Sequence, residues 1–290
     1  MTESVLGIIP HIDIAGHVEA GTAALASAWS PFFNAVQMAG NSMNQEMTLL
    51  LQAVPPALFL FLCTAAAWAT GRKDRHFGFA VFTGSGLWLI YNQGLWPAFM
   101  ETLALVLSSS FLSILIGVPL GIFMARSDTA QSILAPVLDF MQTMPAFVYL
   151  IPAVAFFGIG VVPGILASLI FALPPTVRMT NLGIRQVPKE LTEAARSFGS
   201  TGWQRLCKLD LPAARSTIMA GMNQTVMLSL SMVVIASMIG APGLGREVLS
   251  ALQRAQVGNG FTAGLGIVIM AIMIDRFAQR LNRSGADRSR

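Results

Sequence analysis

The chain has 290 residues, 54% hydrophobic and only 11% charged, with a net charge of +4 and a mean hydropathy of +0.65. A soluble globular chain carries about 25% charged residues, so this composition excludes an ordinary soluble domain and reads as a polytopic membrane protein. Cys63 and Cys207 have no CxxC spacing, which supports neither a disulfide framework nor a zinc site, and His11, His17 and His76 all lie outside the long apolar runs.

Residues 1–48 contain no Lys or Arg, so they lack the positive n-region of a secretory signal. They read as an external tail in which Ala20–Trp29 and Phe32–Met38 supply an interfacial helix. A spanning helix needs about 20 mainly apolar residues, and seven stretches qualify. The first two, Leu49–Thr70 with a kink at Pro55-Pro56 and Phe77–Trp96, fill residues 49–96 as peripheral spans. Phe99–Ala125, Ile133–Gly158, Val161–Asn181, Ala214–Ile239 and Gly258–Asp275 follow within residues 97–276, and 277–290 form a basic tail. The expected fold class is an all-α polytopic bundle of about seven transmembrane helices.

Orientation follows from the basic residues. With the N-terminus outside, all of the 18 Lys and Arg except Arg246 and Arg254 fall on the cytoplasmic side, and so does the C-terminus. The positive charge therefore marks membrane sidedness, and nucleic acid is not an implied partner.

Glu193–Pro212 is a polar island between apolar runs, placed in the cytoplasm by that charge bias. Pro188 suits a helix start. Leu191, Ala194, Ala195 and Phe198 then recur at i, i+3, i+4 and i+7, one apolar face. Gly199 stands where a left-handed residue ends a helix. Ser200 or Thr201 caps a second short helix with Trp203, Leu206 and Leu209, which Pro212 stops before the next span.

The spacing Glu193-Ala194-Ala195, three residues, Gly199, nine residues, Leu209, one residue, Leu211-Pro212 resembles the EAA loop of ABC importer permeases, with Leu209 departing from the family's isoleucine. Residues from about Glu101 to Arg276 also resemble the permeases of glycine betaine/choline/proline-betaine uptake systems. Met100–Leu107 (METLALVL), Met141–Gly160, Phe171–Pro188 and Asn223–Val248 carry that resemblance, which weakens before about residue 95.

The resemblance implies a type I ABC importer permease core over 97–276, with its coupling loop at 183–212. It implies a multi-pass protein of the bacterial inner membrane that translocates a quaternary-ammonium compatible solute delivered by an extracytoplasmic binding protein. It also implies a separate ABC ATPase in two copies and a second permease copy, within the lipid bilayer. Glu193, Ala194, Ala195, Gly199, Leu209 and Pro212 then shape the ATPase contact, with Glu193 facing a basic residue of the ATPase. No G-x4-G-K-[ST] loop precedes Lys73, Lys189 or Lys208. The chain thus reads as a non-enzymatic subunit that binds no cofactor, with ATP and Mg on the partner.

Between the sixth and seventh spans, Gly240–Arg254 reads as a re-entrant turn and a short helix from Arg246. Gly243, Gly245 and Arg246 are candidates for an outer gate or a binding-protein contact, with a plain external loop as the alternative.

Polar groups within spans are costly and often functional. Asp139 and Gln142 sit near the inner end of the fourth span, where Asp139 either lies at the interface or bonds backbone freed by Pro136 and Pro145. Arg178 reads as a cytoplasmic-side anchor, Asn223, Gln224 and Thr225 as bridges between helices, and Asp275 as a helix end. Phe147, Tyr149, Phe156 and Phe157 are aromatic candidates for a quaternary ammonium. Gly117-x3-Gly121 and Gly260-x3-Gly264 permit close helix packing.

Two rivals stand against the importer. An ion-gradient-driven secondary transporter often shows inverted repeats, and the sequence contains no convincing repeat. An intramembrane enzyme needs a nucleophile–base pair or metal cluster at membrane depth, and the spans carry no histidine.

Overall fold

The structure, a computed structural model, describes residues 13–69 and 76–286. Residues 1–12, the basic segment with Arg72, Lys73 and Arg75, and Arg288 and Arg290 of the basic tail lie outside the described residues. Among the described residues every regular element is a helix.

From Ile14 on, the expected external tail is a pair of helices, α1 (Ile14–Ala28) and α2 (Ser30–Ala53), so the boundary expected at residue 48 falls inside α2. The Asp13 carboxylate accepts the Gly16 N–H at 2.9 Å and starts α1. The first expected span is not a kinked rod. Val54 is extended (φ −78°, ψ 119°) ahead of Pro55, because the proline ring disfavours helical backbone in the residue before it. α3 (Pro56–Ala69) leaves α2 at 89°.

After α4 (His76–Asn92), α5 (Trp96–Arg126) is one continuous helix. The fourth expected span is also broken. α6 (Asp128–Thr143) ends where Met144 turns extended before Pro145. A short 3₁₀ turn, Ala146–Tyr149, leads into α7 (Leu150–Phe157), and the corner between the two arms is 109°. Pro136 stays inside α6 and breaks nothing.

Beyond it, α8 (Val161–Arg185) is followed by α9 (Lys189–Ser197) and α10 (Gly202–Arg205). A π-turn at Leu206–Asp210 then runs straight into α11 (Leu211–Ser237). Pro212 therefore does not stop the second short helix. The wider turn, in which the Leu211 N–H donates to the Leu206 carbonyl, absorbs the N–H that Pro212 lacks. α12 (Leu244–Gln253) starts two residues before the expected Arg246, and α13 (Val257–Ala286) closes the chain. Asp275, expected at a helix end, lies inside α13.

Among the described residues four helices are individually long and apolar enough to cross a bilayer: Trp96–Arg126, Val161–Arg185, Gly202–Ser237 and Val257–Arg280. Counting each bent pair as one span raises this to six. Of the seven expected spans, two are thus cornered pairs, and α4 has 17 residues among those described.

The centre is α8, packed against α5 on one side and α11 on the other. In lipid such packing rests on small residues and interhelical hydrogen bonds, and both are present. A Cβ on Gly121 would lie 2.5 Å from Thr180 Cβ and 2.7 Å from the Val177 carbonyl oxygen. Ser113 Oγ donates to the Leu169 carbonyl at 3.0 Å. On the other side Thr176 and Thr225 hydroxyls meet at 2.7 Å, and Thr225 Oγ1 donates to the Ala172 carbonyl at 2.8 Å. An apolar cluster around Phe99, Met100, Ile165, Val233, Leu244 and Met270 joins α12 and α13 to this trio.

Gly121→Val should force α5 away from α8, costing about 1–3 kcal/mol and lowering the thermal midpoint of the detergent-purified protein. Gly264→Ala, at a position with nothing within 4 Å, should leave that midpoint unchanged.

Candidate functional site

α9, α10 and the π-turn form a helix–turn–helix block at the end of the bundle where α5 finishes. Gly199 makes the turn. Its φ of 75° is left-handed, a region that strains residues with a Cβ. Around it the Gly199 N–H donates to the Arg196 carbonyl at 2.9 Å and the Ser200 N–H to the Ala195 carbonyl at 3.0 Å, the paired bonds of a Schellman end. Thr201 then caps α10. The Gln204 N–H donates to Thr201 Oγ1 at 3.3 Å, and the Thr201 N–H donates to Gln204 Oε1 at 2.9 Å.

The block is fastened from below. Arg126, the last residue of α5, donates to the Gly202 carbonyl at 2.7 Å. Leu206 and Asp210 are buried, and Arg205 Nε pairs with Asp210 at 3.2 Å. Arg185, at the end of α8, pairs with Asp128 of α6 at 2.8 Å and donates to the Met124 carbonyl of α5 at 3.2 Å. The outer side of the block is left apolar and open: Phe198 is 90% exposed, Trp203 70% and Leu191 48%. Single exposed apolar residues are ordinary, but three on one small block mark a contact surface.

Of the motif residues, Glu193, Ala194 and Gly199 are exposed on this block, Ala195 is partly covered, and Leu209 and Pro212 lie at the junction with α11. Among the described residues the Glu193 carboxylate has no ion-pair or hydrogen-bond partner.

The family model described as "binding-protein-dependent transport system inner membrane component" matches residues 117–284. The chain belongs to this family of transport permeases. At 54% identity over 275 residues, covering 95% of this chain and 97% of the relative, it is similar to the glycine betaine/carnitine transport permease protein GbuB of Listeria monocytogenes. It is 47% identical to the glycine betaine transport system permease protein OpuAB of Bacillus subtilis, over 94% of this chain and 95% of the relative. It is also 47% identical to the glycine betaine/proline betaine transport system permease protein ProW of Escherichia coli, over 89% of this chain and 72% of the relative. A chain of the MetNI methionine ABC transporter, solved in inward-facing conformations, shares the fold with a TM-score of 0.59 at 23% identity, covering 68% of this chain and 96% of that one.

At the opposite end of the permease, Gly243 and Gly245 are buried, and of the three outer candidates only Arg246 is exposed. Gly243 has φ 110°, and a Cβ on it would lie 3.0 Å from the Thr102 backbone nitrogen; Thr102 Oγ1 accepts the Leu244 N–H at 2.8 Å. A Cβ on Gly245 would lie 2.6 Å from the Val233 carbonyl oxygen. These glycines let α12 seat closely against α5 and α11.

Within the spans, Asp139 pairs with Arg178 and so ties α6 to α8; it does not bond backbone freed by a proline. Gln142 and Gln224 are exposed. Thr225 bridges α11 and α8 as expected, and Asn223 Nδ2 reaches Asp275 of α13 at 3.0 Å. Asp275 also accepts from Gln279 at 2.7 Å.

The aromatic candidates do not converge on a cage. Phe147 is exposed, and the Tyr149 hydroxyl donates to the Met141 carbonyl. Phe156 stacks on Phe33 at 4.8 Å, and Phe157 meets the same ring edge-on at 5.4 Å. The Phe33 contact of α2 escaped the sequence reading, although the periodic apolar positions of residues 30–38 were the signal for it.

Gly199→Val should strain the turn by about 1–2 kcal/mol, and Thr201→Ala should remove a cap worth about 1 kcal/mol. Both should speed amide hydrogen exchange over residues 198–205 while leaving exchange in α8 and α11 unchanged.

Proposed function

We propose that this permease is the membrane subunit of an ATP-driven importer for a quaternary-ammonium compatible solute: glycine betaine, choline, proline betaine or a close N-methylated relative. The solute arrives on an extracytoplasmic binding protein. A separate ATPase, in two copies, binds ATP and Mg and docks on the block from α9 to the π-turn. A second permease copy completes the pore, the N-terminus lies outside and the C-terminus inside. The observation that carries this reading is the EAA spacing on an exposed, internally braced block that presents Phe198, Trp203 and Leu191. Three betaine permeases at 47–54% identity support the substrate class.

Mechanically, α9 is a short rigid lever. The Arg126–Gly202 bond and the buried Leu206 and Asp210 join the α10 and π-turn part of the block to α5 and α11, and the Gly199 turn connects α9 to that part. A displacement imposed by nucleotide binding on the ATPase then passes to the spans as a rigid-body movement. Glu193 is available to pair with a basic residue of the ATPase.

The test is reconstitution of the permease with its ATPase in proteoliposomes. Binding protein loaded with glycine betaine should stimulate ATP hydrolysis and drive uptake, and choline and proline betaine should compete to an extent that ranks the substrates. Gradient-driven uptake by the chain alone would sink this reading in favour of a secondary transporter. Phe198→Glu should weaken ATPase co-purification roughly ten- to hundredfold, matching the roughly 1.5–3 kcal/mol of a large apolar side chain. Gly199→Val should insert normally and permit ATP hydrolysis but lose uptake; unimpaired uptake in that variant would refute the coupling role.

A further inference from the structure

At the end of the bundle away from the coupling block, an open cleft of about 440 Å³ lies between α2, the first turns of α5 and α8, and the turn before α12. Its α2 wall is formed by Asn41, Asn44, Gln45, Thr48 and Leu49. The four polar residues stand at i, i+3, i+4 and i+7, one face of a helix. α2 thus lines the cleft with a mainly polar stripe, while its apolar Met43, Met47 and Leu51 are partly buried beside it.

The rotation of α2 is set independently of that stripe. Phe33 stacks on Phe156, Gln37 Nε2 donates to the Phe157 carbonyl at 3.2 Å, and a Cβ on Gly40 would lie 3.1 Å from Val162 Cγ1. One turn further, the stripe faces Glu101 of α5.

The cleft holds one carboxylate, Glu101, among carboxamide and hydroxyl groups that both donate and accept. Asn44 Oδ1 is buried and has no hydrogen-bond partner among the described residues. A buried acceptor left unmade costs about 1–3 kcal/mol. The Glu101 carboxylate likewise has no ion-pair or hydrogen-bond partner among them. Its charged neighbours are Arg246, which offsets part of its charge, and Glu247, which opposes that effect. No Lys, Arg or aromatic residue lines the cleft.

These features select the occupant. A quaternary ammonium needs aromatic faces, and the cleft has none. An enclosed small-molecule site is mostly apolar and buries most of its ligand, whereas this one is polar and open to the outside. A primary ammonium or guanidinium, with three or five N–H donors, fits carboxamide and carboxylate oxygens.

We infer that this cleft receives a lysine or arginine side chain presented by the extracytoplasmic binding protein, with Glu101 and Asn44 as its main partners. The inference rests on the importer reading above and adds to it the docking position and its chemistry.

The experiment uses the assembled permease–ATPase complex in nanodiscs and the solute-loaded binding protein that stimulates its ATP hydrolysis. Wild-type affinity should fall as salt rises. Glu101→Gln, an isosteric change, and Asn44→Leu should each weaken binding about tenfold or more. Asn44→Asp, which keeps the acceptor, should bind at least as tightly as wild type. One Lys→Gln or Arg→Gln change on the binding protein should weaken wild-type binding and cause no further loss with Glu101→Gln, the signature of a coupled pair. The thermal midpoint of each complex reports folding, and if Asn44→Leu fails to assemble, Glu101→Gln decides alone.

Unaltered affinity of Glu101→Gln, in a complex whose ATPase the binding protein still stimulates, overturns the docking inference and leaves the importer reading intact. No stimulation of the wild-type complex defeats both. Stabilisation of the wild type but not of Glu101→Gln by Na⁺, K⁺ or Ca²⁺ alone assigns the cleft to a small cation and also overturns the inference.

Discussion

The close approach of α5 and α11 to α8 is the contact on which the rest of the structure depends. In a bilayer the hydrophobic effect does not drive one apolar helix against another, so association rests on van der Waals contact at short range and on hydrogen bonds between helices. Gly121 against Thr180 and Val177 supplies the first on the α5 side. Gly221, whose Cβ would lie 3.0 Å from the Pro175 carbonyl oxygen, supplies it on the α11 side. Thr176, Thr225 and Ser113 supply the second. A core held at backbone contact has little room to deform gradually, and it passes displacement from end to end.

Both proposed contact surfaces hang on that trio. α8 begins at Val161 on the wall of the cleft and ends at Arg185 beside the block from α9 to the π-turn. α5 begins near Glu101 and ends at Arg126, which holds Gly202. α11 grows out of the block without a break and reaches the turn that seats α12. The two sites are therefore opposite ends of the same rods. The ion pairs Asp139–Arg178 and Asp128–Arg185 tie the cornered α6 to α8. Exposed pairs of this kind contribute roughly 0–1 kcal/mol, so they orient α6 more than they stabilise it.

The glycine turn and the threonine cap of the block from α9 to α10 were legible in the sequence, because their signals are local. A left-handed glycine, a capping threonine with glutamine three residues on, and an apolar i, i+3, i+4 face act over one or two turns, and the structure contains each of them. The four long core helices were legible because hydropathy over 18 residues is a sum that no single contact reverses. Proline was read less well. Pro136 and Pro174-Pro175 stay inside helices, while Pro55 and Pro145 turn corners. A proline removes one backbone bond in every case, and neighbouring helices decide whether the helix carries on through that gap or turns.

The sequence by itself determined that the chain is helical and crosses the membrane, and where along the chain the polar island with its EAA spacing falls. Charge bias, hydropathy and short-range capping are properties of the chain alone. Tertiary structure decided that residues 14–53 are two helices docked on α7, α8 and α5, that Gly243 and Gly245 are buried packing positions, and that Asp275 sits mid-helix against Asn223. It also decided that the polar stripe of α2 faces Glu101. Periodicity defines that stripe, but only the Phe33–Phe156 stack and the close seat at Gly40 set which way it points.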